Sequence, residues 1–161
     1  MDDLYTDSAK RVMAIAQEQA NYFRHQAIGT EHLLLALTIE DKGVAGQVLK
    51  QAMVTPSDVR REIERLAGYG NLLRQSPSNY LPYSPKAKAV LDETRKQAFL
   101  TGAVRIGTEH FLLALLSDED ILSSRILTSL HVDCKKLRQM LLRKLGISQS
   151  LLRRVTKKAE E

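Results

Sequence analysis

The chain has a single cysteine, Cys134, among its 161 residues. One cysteine cannot form a disulfide within the chain, which is typical of proteins in a reducing, cytosolic compartment. No run of about 18 apolar residues is present, so the sequence predicts no membrane-spanning helix. The first three residues are Met-Asp-Asp, and no apolar stretch follows them. We therefore expect a cytoplasmic protein without a secretory signal.

The motifs that carry common enzymatic and metal chemistry are also missing. The sequence contains no G-x-x-x-x-G-K-[ST] phosphate-binding loop, no G-x-S-x-G, no H-E-x-x-H and no C-x-x-C. Cys134 lies beside Lys135 and Lys136 and would be at most a modestly activated thiol. We therefore expect a binding domain, not an enzyme, with no metal and no cofactor in this chain.

Positive charge is concentrated near the C-terminus. The formal net charge is +5, yet residues 1–132 carry 15 basic and 16 acidic side chains, a net charge of −1. Residues 133–161 carry 9 basic and 3 acidic side chains, a net charge of +6. A nucleic-acid-binding domain would concentrate basic residues on a folded face. The distribution favours a basic tail instead, and a nucleic-acid-binding helical domain is kept as an alternative.

What the sequence does contain is one unit written twice. Residues 28–37, IGTEHLLLAL, return as residues 106–115, IGTEHFLLAL, with nine of ten residues identical and an offset of 78 residues. The same offset aligns Val12 with Val90, Arg60 with Arg138 and Gly68 with Gly146. Any site in the first unit is therefore expected to have a counterpart in the second.

Helical periodicity predicts four helices in each unit. The first unit has helices over residues 6–23, from residue 30, after residue 43 and over residues 55–67; the second has helices from residues 84 and 108, near 119–129 and near 134–145. The run Leu33–Leu37 is apolar on every side, so its short helix should be central and buried. No useful strand pattern appears. The predicted fold is all-α, with eight helices in two four-helix repeats related by a pseudo-twofold axis.

The boundaries of the repeats and of the linker between them are predicted from the positions of glycine, proline and serine residues. Gly68 and Gly146 are expected to end the fourth and eighth helices. We predict repeat 1 over residues 4–68, a linker over 69–83, repeat 2 over 84–146 and a basic tail over 147–161. The tail would be a solvated extension or a linker to something outside this chain.

The doubled Gly-Thr-Glu-His motif, followed each time by an apolar helix, resembles the Clp N-terminal repeat of the Hsp100 unfoldases, which belong to the AAA+ class. Further similar segments are Ala-Gln-Glu-Gln-Ala at residues 16–20 and Tyr-Ser-Pro-Lys-Ala-Lys at residues 83–88. Among the branches, the chain is most similar to the ClpC type of Gram-positive bacteria.

This resemblance implies a docking module that passes substrates to an ATPase ring working with the ClpP peptidase. The implied partners are adaptor proteins of the MecA-like or arginine-kinase type, and substrates marked with phosphoarginine. ATP and magnesium would bind only the ATPase modules. The isolated domain is expected to be a monomer, and the whole protein a hexamer. The resemblance carries the binding role onto Glu31 and Glu109.

Elementary chemistry supports that assignment. A carboxylate suits the guanidinium part of phosphoarginine, and free N–H groups at a helix start suit its phosphate. We expect Thr30 and Thr108 to cap the helices that carry Glu31 and Glu109. Thr6 and Ser84 could add a hydroxyl and another helix N-terminus. Capping and helix-dipole stabilisation alone could also explain Thr and Glu at these positions, whereas His32 and His110 are expected to be partly buried and hydrogen-bonded.

Two departures from the family pattern predict unequal repeats. The turn before the third helix contains Gly43 in repeat 1, whereas residues 117–122 contain no glycine and should take another shape. The family's Gly-His pair is replaced by Arg24-His25 and by Gly102-Ala103, so the two sites should differ in affinity. Docking of adaptors alone and a purely structural role stay open as alternatives.

Overall fold

The computed structural model describes residues 4–70 and 80–146. Eight helices occupy these residues: α1 Asp7–Tyr22, α2 Thr30–Ile39, α3 Val44–Gln51, α4 Pro56–Leu66, α5 Pro85–Leu100, α6 Thr108–Leu116, α7 Leu122–Ser129 and α8 Cys134–Lys144. Every helix of the second unit begins 78 residues after its counterpart, which confirms the predicted repeat. Within the described residues, the extended segments form only isolated bridges, so the all-α prediction is also confirmed.

Local sequence explains most helix ends. Thr6 and Ser84 cap α1 and α5, where their hydroxyls accept the N–H groups of Ala9 and Ala87, each at 3.1 Å. Other hydroxyl and carboxylate caps begin α4 and α8, at Thr55 and Asp133. As predicted, α4 and α8 are each followed closely by a glycine of positive φ, Gly68 and Gly146. Glycine adopts this left-handed conformation without the steric cost of a Cβ atom.

The helix α2 lies at the centre of the molecule. Its residues Leu33–Leu37 are fully buried, and the equivalent run in α6 is buried as well. α2 packs against α1, α3 and α4 of its own repeat and also against α5, α6 and α7 of the other. The two repeats therefore share one hydrophobic core.

One predicted helix start was wrong. We expected α7 near residue 119 and a loop shape unlike that of repeat 1. Instead α7 begins at Leu122, and its cap residue Ile121 has φ −76° and ψ 158°, close to the −73° and 166° of Gly43. In both turns a carboxylate accepts a backbone N–H. Glu40 accepts the N–H of Gly43 at 2.8 Å, and Asp118 accepts the N–H of Asp120 at 2.9 Å. The turn is therefore held by an acidic side chain that both repeats have.

Two predicted segments fall largely outside the described residues. Most of the linker over 69–83 and the whole basic tail over 147–161 lie there. The described linker residue Gly70 donates its N–H to the carbonyl of Phe23 at 2.8 Å, which fixes the chain leaving α4 against the end of α1.

Candidate functional site

The repeats meet at two equivalent junctions, each beside a Gly-Thr-Glu-His motif. Ile28 donates its N–H to the carbonyl of Pro82 at 2.7 Å and accepts the N–H of Ser84 at 2.9 Å. In the other half, Ile106 pairs in the same way with Leu4 and Thr6, at 2.8 and 2.9 Å. The N-terminus of α2 therefore lies beside that of α5, and the N-terminus of α6 beside that of α1. Of the predicted residues, Ser84 joins Thr30 and Glu31 in one site, and Thr6 joins Thr108 and Glu109 in the other.

The first site is an open cleft with a volume of about 340 Å³. Glu31, Gly29 and His25 line it from repeat 1, and Ser84, Lys86 and Leu122 line it from repeat 2. Lys86 is exposed and forms no ion pair with the described part of the chain. We call this the Glu31 cleft, and its counterpart at the other junction the Glu109 site.

The carboxylate of Glu31 lies largely buried in its cleft, and no lysine or arginine of residues 4–70 and 80–146 forms an ion pair with it. Its side chain is 12% exposed. Burial raises the pKa of this carboxyl, and the hydrogen bond from its own backbone N–H and the nearby His25 only partly oppose the shift. His32 Nδ1 lies 3.7 Å from Oε1, but burial lowers the pKa of His32 to about 3, so this imidazole is neutral at physiological pH. The carboxylate thus faces the cleft with little local compensation for its charge.

The Glu109 site repeats this arrangement. The Glu109 side chain is 18% exposed, and His110 Nδ1 lies 3.7 Å from its Oε1. Burial lowers the pKa of His110 as well, although Glu109 opposes that shift. Both motifs therefore present a first-turn carboxylate next to a neutral, buried imidazole.

A glycine two residues earlier leaves room for each of these carboxylates. Both carboxylates fold back over that glycine, so that a Cβ atom at Gly29 would meet the Glu31 carboxylate, and one at Gly107 the Glu109 carboxylate. The backbone at these glycines is extended, with φ −99° and −108°, so a side chain there would displace the carboxylate without straining the backbone.

The expectation that Thr30 and Thr108 cap their own helices was wrong. Gly29 and Gly107 occupy the cap positions, and the threonines are the first helical residues. Both threonines are buried, and their hydroxyls accept N–H groups from the opposite repeat. Thr30 accepts from Ser123 at 3.2 Å, and Thr108 accepts from Ala45 at 3.1 Å. Each threonine therefore caps a helix of the other repeat, α7 or α3, whose own cap residue makes no side-chain hydrogen bond.

The two motif histidines are buried and hydrogen-bonded, more completely than the partial burial we predicted. His32 and His110 accept the N–H groups of Gly29 and Gly107 at 2.8 and 2.9 Å through Nδ1. In repeat 1, His32 Nε2 continues to His25 Nδ1 at 2.8 Å, and His25 Nε2 lies 2.7 Å from the carbonyl oxygen of Gly68. Sequence reasoning did not place His25 in the site, although the Arg24-His25 pair before the motif was a signal.

The structure gives less support to thiol chemistry, metal binding or membrane insertion in the described residues. Burial, followed by Asp133 and Glu119, raises the pKa of the Cys134 thiol, so the neighbouring lysines do not activate it and it stays within the upper limit expected from the sequence. Within residues 4–70 and 80–146, no three His, Cys, Asp or Glu side chains gather in a way that could hold a metal ion. None of the described helices is long and apolar enough to cross a membrane.

Comparison with known proteins identifies the family. The model of the Clp repeat (R) N-terminal domain matches residues 4–130. Over 146 residues the chain is 36% identical to the chaperone protein ClpB of Oceanobacillus iheyensis and to ClpC/MecB, a negative regulator of genetic competence, of Bacillus subtilis. Each match covers 91% of this chain and 18% of the relative, so the chain spans less than a fifth of either protein. Because the identity to both is equal, assignment to the ClpC branch stays a prediction.

Solved structures agree on the fold. The N-terminal domain of ClpD from Arabidopsis thaliana has a TM-score of 0.74 at 22% identity, covering 89% of this chain and 95% of that one. A ClpV N-domain solved in complex with a VipB peptide has a TM-score of 0.66 at 20% identity, covering 92% of this chain and 90% of that one. From the match over residues 4–130 and the identity to ClpB and ClpC, the chain belongs to the family of Clp repeat N-terminal domains.

Proposed function

We propose that this chain is the substrate- and adaptor-binding domain of a cytoplasmic, ATP-dependent Clp unfoldase, and that it recognises phosphoarginine at two places. Glu31 and Glu109 would each accept the guanidinium part of one phosphoarginine side chain. The domain itself would bind without turnover, and unfolding and degradation would need ATPase modules and a ClpP peptidase.

The observation that carries this proposal is a largely buried carboxylate with which no lysine or arginine of the described residues forms an ion pair. Charged carboxylates are costly to bury unless they are paired. A ligand guanidinium entering the Glu31 cleft would supply the missing charge and donate two charge-assisted hydrogen bonds. The same geometry at Glu109 accounts for a second, equivalent site.

The phosphate of the ligand has suitable surroundings in the same cleft. Two helix N-termini meet there, and their first-turn N–H groups and dipoles favour an anion. The Ser84 hydroxyl accepts the Ala87 N–H and keeps its own hydrogen free to donate. Lys86 adds a positive charge at the cleft wall. At the Glu109 site, Thr6 would take the part of Ser84.

Thr30 and Thr108 have a different role in this proposal. Because their hydroxyls cap helices of the opposite repeat, they would hold the two halves of each site in register. Their backbone N–H groups, in the first turns of α2 and α6, would still face an incoming anion.

Adaptor docking is the second candidate function. The ClpV N-domain was solved with a VipB peptide, which supports peptide docking by domains of this fold. In this reading the chain would bind a MecA-like or arginine-kinase-type adaptor through a surface larger than the clefts. Phosphoarginine would then have no measurable affinity for the isolated domain.

Calorimetric titration with free phosphoarginine separates the two functions. We expect two binding events per chain for the wild type, one each for Glu31→Ala and Glu109→Ala, and none for the double variant. Unmodified arginine should bind far more weakly, because it lacks the phosphate that the helix N-termini attract.

Asp58→Ala is the matched control. Asp58 is also an acidic side chain in the first turn of a helix, α4, but it neither lines the Glu31 cleft nor belongs to a Gly-Thr-Glu-His motif. This variant should bind like the wild type. Loss of binding in Asp58→Ala, or full binding in the double variant, would show that the two glutamates are not the ligands.

A further inference from the structure

Three hydrogen bonds form a continuous relay in repeat 1 that has no equivalent in repeat 2. The relay runs from the Gly29 N–H through His32 and His25 to the Gly68 carbonyl, with lengths of 2.8, 2.8 and 2.7 Å. It begins under the Glu31 carboxylate, which folds over Gly29. It ends where the chain leaves α4 for the linker.

The two ends of the relay fix both tautomers. Because a backbone N–H can only donate, His32 must accept at Nδ1 and carry its hydrogen on Nε2. His25 must then accept at Nδ1 and donate from Nε2 to the carbonyl oxygen of Gly68. In this arrangement each imidazole carries a hydrogen on Nε2. A hydrogen on Nδ1 of either ring would place two N–H donors opposite each other and break one of the three bonds.

Repeat 2 contains a shorter version without the second imidazole. His110 accepts the Gly107 N–H in the same way, but its Nε2 lies 3.2 Å from the Thr101 hydroxyl. That hydroxyl donates to the Gln97 carbonyl at 2.8 Å, within the end of α5. Ala103 occupies the position equivalent to His25, so the motif of repeat 2 has no such connection to Gly146.

The charged and titratable groups around the relay come from several elements. His25 lies close enough to Glu31 of α2 to lower the pKa of the Glu31 carboxyl. Lys86 of α5 lines the same cleft. Tyr69, which follows α4, packs against Phe23 and donates its hydroxyl to Glu64 at 2.8 Å. Tyr22 of α1 lies beside Tyr69, with ring centroids 6.2 Å apart.

We propose that His25 is a positioning residue for the Glu31 cleft. Through His32 it holds Gly29 and the overlying Glu31 carboxylate in the geometry that accepts a cationic ligand. Through its hydrogen bond to the Gly68 carbonyl it also connects the start of the linker to this site. Ligand binding in the Glu31 cleft therefore depends on an intact relay, whereas binding at the Glu109 site does not. This inference rests on the proposed function for its ligand.

The test uses phosphoarginine as the probe and two single-site proteins, Glu109→Ala and Glu31→Ala. Adding His25→Ala to Glu109→Ala should weaken binding about fivefold or more, whereas adding it to Glu31→Ala should leave binding unchanged. His25→Gln, which can still accept and donate a hydrogen bond, should recover part of the lost affinity.

Nitrogen chemical shifts of the imidazoles in the ligand-free domain provide a readout that needs no ligand. His25 and His32 should both carry hydrogen on Nε2 at neutral pH. Hydrogen on Nδ1 of His32, or equal effects of His25→Ala on both single-site proteins, would overturn the inference. If wild-type protein binds no phosphoarginine, the role in binding falls with the proposed function. The shifts would then still decide whether the relay exists.

Discussion

At the scale of single residues, the molecule keeps a carboxylate where folding alone would disfavour it. Burial raises the pKa of Glu31, which means that the folded state holds the ionised side chain less well than water does. Gly29 leaves the space that this carboxylate fills. A carboxylate whose ionised form lowers stability, and which lies in space left open by a glycine, is typical of a binding site.

Replacing Glu31 by glutamine should therefore stabilise the fold while removing ligand binding. Because the folded-state pKa is raised, the ionised wild-type side chain is destabilising at pH values above that pKa. We expect Glu31→Gln to raise the free energy of unfolding by up to about 1 kcal/mol at neutral pH. Below the unfolded-state pKa of 4.5 the carboxyl is protonated in both states, so the gain should disappear.

Urea denaturation at neutral and acid pH measures this difference. Glu93→Gln, a partly buried carboxylate of α5 that accepts a hydrogen bond from Gln97 at 2.9 Å, is the control and should not stabilise the domain. A clear loss of stability in Glu31→Gln at neutral pH would mean that the carboxylate is a structural element and not an uncompensated charge.

At the scale of helices, the repeats stabilise each other by exchanging caps. The cap residues of α3 and α7 are Gly43 and Ile121, which offer no side-chain cap. The missing acceptors come from Thr108 and Thr30, more than 60 residues away in sequence, with separations of 63 and 93 residues. Thr108 also packs against Gly43 so closely that a Cβ atom there would collide with it. Each motif thus takes part in the folding of the opposite repeat.

Valine at Thr30 or Thr108 keeps the side-chain shape and removes the hydroxyl. Each substitution leaves a buried N–H without a partner and should lower the free energy of unfolding by about 1–3 kcal/mol. Thr55→Val is the matched control, because it removes an exposed cap whose N–H can turn to water. We expect the control to lose only about 1 kcal/mol. Equal losses for Thr30→Val and Thr55→Val in chemical denaturation would contradict reciprocal capping.

Helix positions followed from local sequence, whereas these caps did not. The starts of α1, α4 and α5 could be predicted because Thr6, Thr55 and Ser84 bond to their own helices. The cap positions of α2 and α6 were misplaced by one residue, since the partner of each threonine lies in the other repeat. A single sequence carries no signal for hydrogen bonds across such separations.

At the scale of the whole molecule, the twofold repeat creates sites that neither repeat contains alone. The Glu31 cleft needs α2 from repeat 1 and the start of α5 from repeat 2, and the paired bonds at Ile28 and Ile106 build both junctions alike. Sequence reasoning predicted the flanking caps at Thr6 and Ser84, and the role of the two carboxylates as ligands stays a prediction. It could not assign Ser84 to Glu31 and Thr6 to Glu109, because that pairing depends on how the repeats pack.

The same symmetry makes the differences between the sites informative. His25 and Lys86 in the Glu31 cleft correspond to Ala103 and Ser8 at the Glu109 site. Since the backbone geometry is shared, unequal affinities would arise from these side chains, as the Arg24-His25 and Gly102-Ala103 pairs suggested in sequence.

The most direct test of two sites built across the repeats is an amide NMR titration of the domain with phosphoarginine. The account predicts shifts at residues 29–32 together with 84–87, and at residues 107–110 together with 6–9. Shifts confined to one motif without its partner helix, or shifts only around the α3–α4 and α7–α8 turns, would contradict it.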